Sequence, residues 1–141
     1  METLAGLHAA FIRAAREYPD STAVVEPGEG SVTYRELANL SDRVRDRLHA
    51  SGVRPGDRVG LYLHKSIDTV ATIYGILKLG AAYVPVDPGA PPARNAYILT
   101  NCAVKIAVVE RRFGDTSNAQ SLPKIRGCEA VLRRDQSNRR G

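Results

Sequence analysis

The side chains that could do chemistry are few and scattered. A phosphate-gripping loop needs closely spaced glycines before a helix, so that backbone N–H groups can approach the anion. Neither Gly-x-Gly-x-x-Gly after a strand nor Gly-x-x-x-x-Gly-Lys-Ser/Thr occurs in the chain. Gly28-Glu29-Gly30 has the first half of the dinucleotide spacing but opens no helix, and it reads as a hairpin turn. His8, His49 and His64 fall in separate elements, without a metal-like neighbour at i+4 or a nearby cysteine, so surface positions are expected. His64-Lys65 is the pair with a ligand reading. It follows an apolar run ending at Leu63, on the strand edge where open α/β sheets bind their ligands. No serine sits in a Gly-x-Ser-x-Gly elbow. Cys102 lies among apolar residues at a helix end and reads as core packing. Cys128 stands in a basic stretch, where cations would favour a reactive thiolate; it too is read as inert.

Composition narrows the function classes. The chain has 141 residues and is 43% hydrophobic, enough for one domain with a core. The net charge of +5 is unevenly spread: residues 1–110 hold 12 basic and 12 acidic side chains, whereas residues 111–141 hold 8 against 3. The second stretch reads as a basic linker with a solvated end. Its arginines are accompanied by a single aromatic residue, Phe113, which leaves base stacking little to work with and argues against nucleic-acid binding. No apolar run approaches the ~18 residues of a membrane span, and no secretion signal opens the chain. Two cysteines are too few for a disulfide scaffold, so a reducing cytoplasm is the expected setting.

The elements follow from periodicity and stop signals. Leu4, Leu7, Phe11, Ala14 and Tyr18 predict an amphipathic helix over 4–18, ended by Pro19-Asp20. Residues 22–25 and 31–33 predict a small hairpin. Thr33 to Glu36 is a capping box, and the helix after it carries Leu37, Leu40, Val44 and Leu48 to a stop at Ser51-Gly52. Then come a strand at 58–63, a two-sided apolar helix capped by Ser66 and stopped at Gly80, and a strand at 81–86. A helix follows from Pro91-Pro92 to about Asn101, and a strand at 105–109. The strands are short and nearly continuously apolar, which predicts α/β class with a parallel βαβαβ sheet covered by helices. A further strand is expected at 130–132 and a frayed end from Gln136. The organisation expected is thus 1–110 as one structured segment and 111–141 as linker.

Two stretches resemble the adenylate-forming (AMP-binding) superfamily of acyl-CoA synthetases and non-ribosomal peptide synthetase adenylation domains. Val32-Thr33-Tyr34-Arg35-Glu36-Leu37 is similar to its first core motif. Leu77-Lys78-Leu79-Gly80-Ala81-Ala82-Tyr83-Val84-Pro85-Val86-Asp87-Pro88 is similar to its second. The resemblance implies an N-terminal piece of a ligase that uses ATP and magnesium to turn a carboxylate into an acyl-adenylate. A thiol of CoA or of a carrier protein then takes the acyl group. The parts such chemistry needs, a Ser/Thr/Gly-rich pyrophosphate loop ending in Pro-Lys-Gly, a ribose-binding acid and a lysine on a mobile lid, lie downstream in the family. Thr116 to Lys124 mimics the loop's spacing, but no glycine lies between Ser117 and Pro123, so its backbone could not wrap a phosphate. Both matching motifs are structural in the family. No catalytic, cofactor-binding or metal residue is therefore assigned, and the chain alone is expected to bind no nucleotide and to be inactive. Partners expected are the remainder of the adenylation domain, a second copy meeting an uncovered apolar face, or a separate polypeptide that supplies the ATP site. The motif wording leans toward amino-acid over fatty-acyl substrates.

Overall fold

The computed structural model describes residues 6–109 and 131–133, the last three as backbone. Its elements run α1 (Ala9–Glu17), β1 (Thr22–Glu26), β2 (Gly30–Thr33), α2 (Tyr34–Ala50), β3 (Arg58–Tyr62), α3 (Ile67–Lys78), β4 (Ala82–Pro85), α4 (Pro92–Asn101), β5 (Ile106–Val109) and β6 (Val131–Arg133). They belong to two interleaved compact units. One comprises residues 1–55 and 65–81, the other 56–64 and 82–141.

In the first unit, β1 and β2 form an antiparallel hairpin whose register shifts between Thr22 and Val24. The turn at Gly28 and Gly30 is the expected hairpin turn, with both glycines at positive φ and open space around them. Thr33 and Glu36 form the full capping box. The N–H groups of Tyr34 and Arg35 are taken by the carbonyls of Ser21 and Pro19, so the start of α2 leaves few donors unmet. The hairpin also serves α3. Glu26 Oε1 accepts from the Ile67 N–H at 3.0 Å, beside the Ser66 cap on Thr69.

Helices α2 and α3 approach closely because Gly75 has no side chain. A Cβ there would lie 2.9 Å from the Ser41 carbonyl oxygen and 2.8 Å from Val44 Cγ1. Beside this contact sits Lys78, whose side chain is 11% exposed. Its ammonium donates to Ser41 Oγ at 2.8 Å and Asp42 Oδ1 at 2.7 Å, and stands 5.4 Å above the Phe11 ring. Phe11 stacks on Tyr74 with centroids 4.1 Å apart, which ties α1 to α3.

In the second unit the sheet is parallel throughout, in the order β4-β3-β5-β6. Residues 59–62 and 106–109 are all buried, as strands covered on both faces must be. Leu99 of α4 lies against β3 at Gly60, where a Cβ would come within 2.7 Å of Leu99 Cδ2. Tyr62, Val86, Leu99, Val104, Ala107 and Val109 form the core here, with Cys102 packed against it.

Three helices end alike. After α2, α3 and α4 the chain turns through Gly52 (φ 99°), Gly80 (φ 75°) and Ala103 (φ 52°). The next N–H then reaches back: Val53 to Leu48, Ala81 to Ile76 and Val104 to Leu99, each at 3.1–3.2 Å. This is the Schellman stop, and each closing pair is buried.

The α/β class, the parallel strands and their order along the chain are as the sequence predicts. The first helix is shorter than expected: Gly6 at φ 112° departs from helical geometry, the helix begins at Ala9, and Leu7 is 70% exposed rather than on the packed stripe. The strand expected at 130–132 is present as 131–133, paired with β5. The rest of 110–130, with Cys128 and the Thr116–Lys124 run, lies outside the described residues, as do residues 1–5 and 134–141.

Two substitutions test these contacts by urea unfolding. An alanine in the left-handed region costs roughly 1–2 kcal/mol, partly offset by the greater freedom of glycine in the unfolded chain. Ala103→Gly is therefore expected to stabilise by about 0.5–1 kcal/mol, and Gly80→Ala to destabilise by about 1–2 kcal/mol. An unchanged midpoint in both would contradict the assigned helix stop. In Gly75→Ala, helix propensity gains about 1 kcal/mol. The clash with a backbone oxygen that cannot retreat costs about 1–3 kcal/mol. Net destabilisation is expected; a net gain would show that α2 and α3 are not in this close contact.

Candidate functional site

The strand order gives the position of a site before any side chain is considered. The chain passes from β3 to its neighbour β4, then returns past β3 to place β5 on the other side. The crevice beyond the carboxyl ends of β3 and β5 is thus the topological switch point, where open α/β sheets bind ligands. Tyr62 and Val109 are the last register pair there, and both are buried. His64, just beyond Tyr62, is exposed, and so is Lys65.

Beyond β4 the residues of the second motif build a corner. Asp87 Oδ1 accepts from the Gly89 N–H at 2.9 Å, and the Asp87 carbonyl accepts from the Ala90 N–H at 3.0 Å and from Asn95 Nδ2 at 2.8 Å. An aspartate before proline favours such a turn. Asn95 is 1% exposed, and its Oδ1 has no hydrogen-bond partner among the described residues. At the opposite, amino-terminal edge, charged residues tie loops to strands. Arg58 donates to the Cys102 carbonyl at 2.8 Å, and Lys105 pairs with Asp57 at 3.1 Å.

A nucleotide's phosphate would meet few open donors at the described starts of α3 and α4. A phosphate seeks free N–H groups at a helix start. At the start of α3 the Ile67 and Thr69 N–H groups are already held by Glu26 and Ser66, and the Glu26 carboxylate would repel an anion. Helix α4 begins at Pro92, which has no N–H to offer. Among the described residues no three His, Cys, Asp or Glu side chains converge. His8 stands at the start of α1 and His49 is exposed in the last turn of α2. Cys102 carries a free thiol.

Sequence reasoning missed Glu26, Lys78 and Asn95; the first two depend on partners far along the chain, and Asn95 on the Asp87 carbonyl eight residues before it. The hydrogen bonds of Glu26 and Lys78 span 41 and 36 residues. For Lys78 the sequence carried no signal, because a lysine in the last turn of a helix is ordinarily solvated and suits the helix dipole.

Comparison with known proteins agrees with the motifs. The family model described as "AMP-binding enzyme" matches residues 11–139. Bacitracin synthase 1 of Bacillus licheniformis is 34% identical over 133 residues, which is 94% of this chain and 2% of the synthase. Syringomycin synthase SyrB1 of Pseudomonas syringae pv. syringae is 40% identical over 119 residues, 84% of this chain and 18% of that protein. Among solved structures, the non-ribosomal peptide synthetase FmoA3 superposes with a TM-score of 0.79 at 37% identity, over 92% of this chain and 13% of that one. The N-terminal domain of FACL13 from Mycobacterium tuberculosis superposes with a TM-score of 0.78 at 28% identity, over 89% of this chain and 32% of that one. The chain thus spans only a small share of the relatives it matches. With its sequence motifs, parallel sheet and residues 11–139 all inside one pattern, it belongs to the AMP-binding enzyme family and corresponds to an N-terminal part of its adenylation domain.

Proposed function

We propose that this chain supplies the N-terminal scaffold of an ATP-dependent, AMP-forming ligase that activates a carboxylate as its acyl-adenylate and passes the acyl group to a thiol. The observation that carries the reading is the family match over residues 11–139. ATP use is implied by the family, and a neighbour, FmoA3, has a structure in an AMPPNP-bound form. Magnesium would be held outside the described residues. An amino acid is the favoured substrate class, because the peptide synthetases cited are 34–40% identical, whereas an anthranilate CoA ligase stands at 28%.

On this reading the chain works with the remainder of an adenylation domain, whether on one polypeptide or supplied by a second, and then with a carrier protein or CoA as acyl acceptor. It works in the cytoplasm, where ATP is plentiful; no helix among the described residues is long and apolar enough to cross a membrane. Leu7, Tyr18, Val25 and Tyr97 are each more than half exposed, so apolar surface remains for a partner or a second copy to cover.

Two measurements test the proposal. Amino-acid-dependent ATP–pyrophosphate exchange is expected to be at background with this 141-residue chain alone, and to appear when a polypeptide carrying the glycine-rich loop and lid lysine is added. Turnover by the chain alone would overturn the division of labour; no turnover with any such complement would overturn the ligase reading. Light scattering at tens of micromolar is expected to give a mass above that of the monomer. A stable monomer across that range would contradict the uncovered apolar surface.

A further inference from the structure

No further inference is drawn: the strongest candidate, the half-open apolar cleft of about 250 Å3 in the first unit, lined by Phe11, Tyr34, Leu37, Val70 and Tyr74 with Ala14 at its side, carries nothing because nothing in the structure shows what covers it.

Discussion

A parallel strand can be followed by another only if the chain leaves the sheet and returns, and the return depends on where the intervening helix stops. In this chain α2, α3 and α4 all stop on a residue with positive φ, and the next residue is pulled back by a hydrogen bond to a carbonyl in the helix's last turn. The apolar pairs that close each stop, Leu48 with Val53, Ile76 with Ala81 and Leu99 with Val104, are buried. Local backbone geometry and core packing thus enforce the same turn. The strands β3, β4 and β5 each follow such a stop, and their register is set from there. Ala82 N–H bonds to the Asp57 carbonyl and Lys105 N–H to the Arg58 carbonyl as the strands begin.

The same constraint explains the most distinctive run in the sequence. In Leu77 to Pro88, Lys78 holds Asp42 and Ser41, Gly80 makes the stop, Ala81 closes it, and Ala82 to Pro85 form the edge strand. Asp87 then folds the corner that Asn95 pins. In this run the Lys78 ammonium is committed to α2, and Asp87 Oδ1 to the Gly89 N–H of its own turn. A recognisable family motif can therefore be a folding device, and its presence says which scaffold is built rather than which bonds are made.

Local signals were legible in the sequence and distant ones were not. The capping box at Thr33 and Glu36, the Ser66 cap, the Pro92 helix start and the glycine stops all act within a few residues, and the structure places each where the sequence predicts it. Ala103 escaped because alanine carries no mark of a left-handed turn; its conformation is imposed by Leu99 and Val104 packing together. The α1 start escaped because Leu4 and Leu7 continue the helical spacing, while Gly6 breaks the helix and exposes Leu7. The candidate site was the least legible part: the bond from the Ile67 N–H to Glu26 spans 41 residues, and no window of local sequence contains it.

We propose that the carboxyl edge of this sheet is architecture and that the chain alone binds no nucleotide. An NMR titration of the 15N-labelled chain with magnesium-ATP tests it most directly. The resonances of His64, Asp87, Gly89 and Asn95 should stay in place up to millimolar nucleotide. Saturable shifts confined to those residues would contradict the claim.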